Sequence, residues 1–213
     1  MPVKNDREYR DMTIEIRKDG EAEVQDDRMI VRGYASTFND PYTLFEGEDF
    51  RYNEVVDANA FANTDMSDVI MQYDHEGRVF ARISNNTLTV TPDERGLLIE
   101  ADLGGTELGR QLYEEIRGGY TNKMSFGFTV DDEDENDEED EDGKRVITRT
   151  IKSVRKLYDV SAVSLPANNA TEISVRNLTD GVIEKMQAER LEREKMELRR
   201  RKMMMRLKLG GQE

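Results

Sequence analysis

The chain has 213 residues, of which 36% are hydrophobic and 36% charged, and its net charge is −15. This length allows one sizeable core with less well packed appendages, and the lack of cysteine excludes disulfides and thiolate zinc sites. No apolar run approaches a membrane-spanning length, and the first residues lack the hydrophobic segment of a signal peptide. We therefore expect a soluble, non-exported protein.

Short segments rich in β-branched and aromatic residues recur along the chain and predict a body of strands. In chain order these are MTIEI (12–16), MIVRGYAST (29–37), DVIMQY (68–73), NTLTVT (86–91), GLLIEADL (96–103), NKMSFGFTV (122–130), RVITRTI (145–151) and LYDVSAVSL (157–165). The fourth and fifth segments predict a hairpin, since Pro92 and Gly96 supply its loop.

Two helices are predicted within this series of strands. The first follows Asp57 through residues 58–66. The second begins after the cap residue Thr106, has Leu108, Leu112 and Ile116 on one face, and ends at the glycine pair 118–119. Because strands cluster without regular alternation with helices, we expect a β-rich α+β domain.

The two ends and one internal segment differ from this body. Residues 131–142, DDEDENDEEDED, form a block of like charge, which predicts a disordered, solvated acidic loop. Residues 179–213 are rich in strong helix formers, with RRRK near the end, and predict a long C-terminal helical tail. The expected organisation is therefore an N-terminal strand or arm (1–27), a domain (28–178) that contains the acidic loop, and the tail.

The segment KMSFGF places Ser125 on a predicted strand, on the face opposite its apolar neighbours, and Gly127 allows another backbone to come close. This is not a G-x-S-x-G elbow, because Lys123 stands where the first glycine would be. A serine nucleophile needs a base, and the chain has a single histidine, His75. If Ser125 is a nucleophile, the base can only be His75. Each residue read alone is also compatible with a structural role.

A histidine base needs an orienting partner, and a carboxylate is the simplest one. Asp159 is a lone acid in a strand of apolar and small residues, which favours it for this role. The alternative is that Asp159 caps a turn or pairs with Lys156 or Arg155. Asp74 is adjacent to His75 and is less suitable, because neighbouring residues on a strand point to opposite faces.

Six motifs occur in an order that resembles a known family. They are GYASTFN (33–39), ANAF (58–61), QYDHEGRVFARI (72–83), GLLIEADL (96–103), SFGF (125–128) and DVSAVSLPANNATEI (159–173). Together, over residues 28–178, they resemble the prohead (capsid maturation) serine proteases of tailed bacteriophages, of the HK97 type, which are related to the herpesvirus assembly proteases. The resemblance implies a barrel-like β fold and the catalytic residues His75, Ser125 and Asp159.

The resemblance also implies a substrate and a location. The substrates would be the scaffolding part of the major capsid protein and the protease itself, inside the assembling prohead in the host cytoplasm. It implies no cofactor, no metal, no membrane and no specific nucleic acid, and it allows a homo-oligomer. Arg82 and Arg155 are candidates for oxyanion stabilisation. Two rival functions remain, a non-catalytic capsid-assembly scaffold on the same fold and an acidic, chaperone-like binding protein.

Overall fold

The computed structural model describes residues 7–13, 28–48 and 50–164, and in the C-terminal part residues 188, 191–196, 198–201 and 204. The chain divides into two compact units, Met1–Ser174 and Val175–Glu213. The described residues of the second unit are helical. The rest of the predicted tail helix lies outside the described residues, so its length stays a prediction.

Over its described residues, the first unit consists of strands with one α-helix. The strands are β1 (Glu8–Thr13), β2 (Ile30–Thr37), β3 (Tyr42–Glu46), β4 (Phe50–Val56), β5 (Ile70–Tyr73), β6 (Glu76–Arg82), β7 (Leu88–Pro92), β8 (Gly96–Asp102), β9 (Lys123–Glu139) and β10 (Arg145–Val163); the helix is α1 (Glu107–Gly118). A single 3-10 turn, Ile83–Asn85, follows β6. In the part of the chain given above, no helix is long and apolar enough to cross a membrane.

The long strand β10 organises the larger, seven-stranded sheet. β9 pairs with β10 in antiparallel fashion along its length, β1 covers the other edge of β9, and β4 and β5 pair in parallel with the first and last parts of β10. Register shifts between Ile151 and Asp159 interrupt the β9–β10 ladder. Such irregularities bend a strand, and here they separate an N-terminal half of β10 next to β4 from a C-terminal half next to β5.

A three-stranded sheet, in the order β2–β8–β7, contributes to the same core. The predicted hairpin at residues 86–103 is confirmed as β7 and β8. Apolar side chains from both sheets and from α1 are buried together, among them Leu97, Ile99, Leu112, Phe126 and Val160. The alternating polar and apolar residues of the strands therefore place one apolar face of each sheet in a shared core.

The predicted helix α1 is confirmed together with both of its ends. The Thr106 hydroxyl accepts a hydrogen bond from the Gly109 N–H at 3.0 Å, as an N-cap does. Gly119 ends the helix in the left-handed conformation, with φ +78°. Leu112 and Ile116 are buried, whereas Leu108 remains 38% exposed at the edge of the apolar face.

Parts of the fold differ from what the sequence predicts. Residues 58–63 form successive turns instead of a helix, with the Ala60 N–H donating to the Asp57 carbonyl and the Ala62 N–H to the Asn59 carbonyl. Strands β3, β4 and β6 lie outside the predicted segments. In β4, Glu54 occupies a fully buried position where the alternation requires an apolar residue. Neither sheet closes into a barrel over the described residues, and the likeness to the herpesvirus fold stays a prediction.

The acidic segment is also different from the expectation of a disordered loop. Residues 131–139 continue β9 and pair with β10, and the chain turns at residues 140–144. The physical reason is the composition of β10, which places basic side chains opposite the acids: the pairs are Arg145–Asp137, Arg149–Glu133, Lys152–Asp134 and Arg155–Asp131. Cross-strand pairing of opposite charges stabilises the hairpin that the like charges of one strand would otherwise oppose.

Reversing one of these charges is expected to loosen the hairpin tip alone. In Arg145→Glu, the bond from Arg145 to Asp137 is lost and a new carboxylate faces the acidic strand. Amide hydrogen exchange at residues 134–139 should become a few-fold faster, because this part of the ladder is exposed. Exchange at Phe126 and Phe128 should not change. The charge reversal Arg117→Glu, on α1, serves as a control that should leave the hairpin amides as they are.

Candidate active site

Strand β9 positions Ser125 by the ordinary alternation of a strand. Met124, Phe126 and Phe128 point into the core, with Phe126 and Phe128 stacked at a ring-centroid distance of 4.7 Å. Ser125 and Gly127 therefore lie on the opposite face. Ser125 is 0% exposed, so its hydroxyl must find hydrogen-bond partners inside the protein.

His75 lies in a tight turn between β5 and β6, and not on a strand. Tyr73 pairs with Glu76, so Asp74 and His75 are the two central residues, with φ of +48° and +59°. A two-residue hairpin of this kind normally carries Asn or Gly, because both central residues need positive φ. Non-glycine residues in this region are strained and are concentrated at functional sites. The turn directs the His75 ring back over the sheet.

The acid beside His75 in the sequence holds this turn in place. The Asp74 N–H donates to the Ala162 carbonyl at 2.9 Å, and the Asp74 carboxylate accepts a hydrogen bond from the Ser164 N–H at 2.8 Å. Asp74 therefore ties the turn to the end of β10. Asp74 bonds to Ser164 and not to the imidazole, but the reason expected from the sequence, opposite faces of one strand, is wrong, because both residues lie in the turn.

Asp159 lies on β10 directly opposite Gly127 and is 3% exposed. Its Oδ1 lies 2.5 Å from the His75 Nδ1 and accepts a hydrogen bond from the Ser161 hydroxyl at 3.0 Å. The alternative pairing of Asp159 with Lys156 or Arg155 is wrong. These two cations pair with Asp65 and Asp131 respectively.

The three predicted residues form a continuous hydrogen-bonded chain. The His75 Nε2 lies 2.6 Å from the Ser125 Oγ, while Nδ1 faces Asp159. A carboxylate accepts and does not donate, so it favours the tautomer with hydrogen on Nδ1, in which the unprotonated Nε2 can accept the serine proton. The arrangement can therefore remove a proton from a serine hydroxyl.

Gly127 and Tyr9 complete the surroundings of the imidazole. A Cβ on Gly127 would lie 2.4 Å from the Asp159 Oδ2 and 2.7 Å from the Tyr9 Cε1, so a larger residue would have to displace both groups. The Tyr9 ring meets the His75 ring edge to face at a centroid distance of 4.4 Å. The glycine could be found from the sequence as one allowing close approach, but Tyr9 carried no signal of its own.

A buried cluster of charges lies where β1 meets the sheet. Glu54, 0% exposed, accepts two hydrogen bonds from Arg10, at 2.6 and 2.8 Å, and one from Arg149 at 2.8 Å. Arg149 also donates to Glu8 at 2.6 and 2.9 Å, and the Tyr42 hydroxyl donates to Glu54. Such a cluster is costly to desolvate and depends on all of its partners.

Two opposing effects set the pKa of Glu54. Burial disfavours the charged carboxylate, but the positive charges and hydrogen bonds of Arg10 and Arg149 outweigh it, so the pKa lies below its ordinary value. Burial and the Glu54 charge raise the pKa of the Tyr42 phenol well above its ordinary value. Glu54 is therefore a buried anion.

The arginines considered for oxyanion stabilisation are engaged elsewhere. Arg82 donates to Asp68 at 2.9 Å, and Arg155 donates to Asp131 at 3.0 Å. Both pairs are exposed on the surface. Their observed contacts thus give no support to either arginine as the oxyanion donor.

A comparison with protein-family models shows to which family the chain is similar. The model described as caudovirus prohead serine protease matches residues 13–187, which include Ser125, His75 and Asp159. No curated protein and no solved structure matched the chain.

Proposed function

Because the chain belongs to the caudovirus prohead serine protease family, we propose that it is an active serine endopeptidase in which Ser125 is the nucleophile, His75 the general base and Asp159 the orienting acid. The observation that carries the proposal is the pair of hydrogen-bond distances from the imidazole, 2.6 Å to Ser125 and 2.5 Å to Asp159. Nucleophile, base and orienter are recognised by this mutual geometry.

The chemistry follows from these contacts. The Ser125 Oγ attacks the carbonyl carbon of a peptide bond while the His75 Nε2 takes the hydroxyl proton, and the imidazolium then gives that proton to the leaving amine. Water hydrolyses the resulting acyl-enzyme with His75 again as base, which restores the serine. The charge of Asp159 stabilises the imidazolium in both halves of the reaction.

Asp159→Asn is expected to lower kcat about 10²–10⁴-fold and to leave measurable activity. An amide donating to Nδ1 favours the wrong imidazole tautomer but leaves the nucleophile and the binding surface in place. The measurement is steady-state hydrolysis of a fluorogenic peptide by the full chain. An unchanged kcat would remove Asp159 from the catalytic group.

Gly127→Ala is expected to lower kcat/KM by about two orders of magnitude, because small displacements of catalytic groups have effects of this size. The added methyl group would push Asp159 or Tyr9 away from the imidazole. The matched control is Gly105→Ala, where a Cβ meets nothing within 4 Å. Equal rates for both variants would show that the close packing around Asp159 has no bearing on catalysis.

We propose the scaffolding part of the major capsid protein, and the protease chain itself, as substrates inside the prohead in the host cell. The family to which the chain belongs supports this choice. The test is co-expression of the full chain with its capsid precursor, followed by mass spectrometry of assembled particles. Precursor and protease should both be cut with the wild-type chain and intact with Ser125→Ala. Intact precursor in wild-type particles would contradict the proposed substrate.

The rival functions receive less support from the structure. A non-catalytic scaffold would be favoured by a His75–Ser125 pair too far apart to share a proton, whereas these atoms are 2.6 Å apart. An acidic binding protein would need free carboxylates, whereas several acids of residues 131–139 pair with basic side chains of β10.

A further inference from the structure

Strand β1 lies along the edge of β9 at the position of Ser125. The two strands are antiparallel, with Asp11 opposite Ser125, Arg10 opposite Phe126 and Tyr9 opposite Gly127. The family match begins at residue 13, which is the last residue of β1. The residues matched by the family model thus include β9, whereas nearly all of β1, which covers the edge of β9, precedes the matched residues.

The backbone of β1 contacts the nucleophile itself. The Ser125 hydroxyl donates to the Arg10 carbonyl at 3.0 Å, and the same oxygen lies 2.6 Å from the His75 Nε2. One hydroxyl proton therefore has two acceptors, a peptide carbonyl and the imidazole. With the Tyr9 ring against His75, β1 closes this side of the site, in agreement with the complete burial of Ser125.

The side chains of β1 that point to the other face are anchored by complementary charges. Arg10 forms a two-point hydrogen bond with Glu54, and Glu8 forms a two-point hydrogen bond with Arg149. Arg10 is 6% exposed. Two-point pairs of this kind are strong and specific in geometry, and lysine cannot reproduce them.

These contacts are those of a peptide ligand added to the edge of a sheet: main-chain pairing gives affinity, and pockets for alternate side chains give specificity. We propose that the edge of β9 beside Ser125 is the substrate-binding edge, and that β1 occupies it as an intramolecular ligand. The preferred substrate is an extended peptide that presents an arginine to Glu54 and displaces β1. This inference rests on the proposed endopeptidase function and names the substrate class.

The preference for arginine has a direct physical reason. When β1 leaves, Glu54 loses Arg10 and keeps only Arg149 and Tyr42 as the partners described above. A buried carboxylate that has lost a two-point cationic partner is destabilised until another cation replaces it. An arriving arginine restores the lost bonds, whereas an apolar side chain leaves them unmade.

The test measures binding in full-length Ser125→Ala protein, so that cleavage does not interfere. The probe is a fluorescent peptide with the sequence of residues 5–13, NDREYRDMT, and its partner carries alanine in place of the arginine at position 10. By fluorescence anisotropy, the alanine peptide should bind at least about tenfold more weakly. Adding Glu54→Gln to the protein should remove this difference. Equal affinity of the two peptides for the Ser125→Ala protein would overturn the inference.

Displacement of β1 is measured separately. An attached ligand competes with a free one at high effective concentration. Weakening β1 by Arg10→Ala should therefore raise the affinity of the protein for the free peptide about tenfold. The control Arg32→Ala, which removes an exposed pair on the other sheet, should leave this affinity unchanged. Saturating peptide should also speed amide exchange at residues 9–13. The exchange measurement needs no substitution in the charged cluster, so it can be made even if Arg10→Ala fails to fold. Peptide binding without faster exchange at β1 would also overturn the inference.

The two proposals can fail separately. Arginine-dependent peptide binding in Ser125→Ala, together with an inactive wild-type chain, would contradict the proposed endopeptidase and leave the binding edge. An active wild-type chain whose Ser125→Ala form binds both peptides equally would support the endopeptidase and contradict the arginine-selective binding edge.

Discussion

Ser125→Ala is expected to abolish peptide-bond cleavage, and His75→Ala is expected to have the same effect. The hydroxyl and the imidazole share one proton at 2.6 Å, and either is ineffective without the other. The loss in kcat should be at least about 10⁴-fold for each variant. The assay is hydrolysis of a fluorogenic peptide by the full chain, together with loss of the capsid precursor on a gel.

The double variant distinguishes a catalytic pair from two unrelated residues. Because the two groups act as a unit, Ser125→Ala with His75→Ala should be no slower than either single variant. The matched control is Ser153→Ala, a half-buried serine of β10 in the register-shifted part of the strand, which should retain wild-type kcat. Losses that multiply in the double variant would contradict the proposed mechanism.

Arg149→Ala is expected to lower the free energy of unfolding by about 3–5 kcal/mol. Arg149 is 2% exposed and bonds to Glu54, Glu8 and Glu133, so its removal takes a cationic partner from the buried Glu54 and from the half-buried Glu8. The measurement is urea unfolding followed by circular dichroism. Arg32→Ala removes an exposed pair with Glu100 and should change the unfolding free energy by less than about 1 kcal/mol.

The pH dependence of this effect identifies its electrostatic origin. Burial opposes the charge of Glu54, but the two arginines prevail and lower its pKa in the folded protein. A lowered folded-state pKa gives stability that is present above the unfolded pKa, about 4.3, and lost as pH falls through the folded value. The difference in the free energy of unfolding between wild type and Arg149→Ala should therefore become smaller at low pH. If this difference in unfolding free energy does not change with pH, the effect of Arg149→Ala is due to packing and not to charge.

Much of the fold follows from local patterns in the sequence. Helix α1 was predictable because Thr106, its apolar face and the glycine pair all act within a few residues of one another. The hairpin of β7 and β8 was predictable for the same reason. In contrast, the alternation of β4 is broken by Glu54, and this buried carboxylate is stabilised by Arg10 and Arg149, which are far from it in the sequence.

The acidic segment shows the same limit more clearly. Read alone, residues 131–142 are a run of like charges that repel one another. Their fold depends on Arg145, Arg149 and Lys152, which reach them only after the chain has turned and β10 has paired with β9. A window confined to the acidic residues contains no sign of these partners.

The sequence by itself determined which groups could perform the chemistry, because a chain with one histidine and no cysteine leaves few choices of base and nucleophile. It also determined strands such as β2, β7 and β8, since alternation is a property of consecutive residues. Only the tertiary structure decided that His75 lies in a turn with positive φ, that Asp159 on β10 reaches it, and that β1 covers Ser125. These contacts join residues 50 to 115 positions apart, and such pairings depend on how strands assemble, which no short pattern contains.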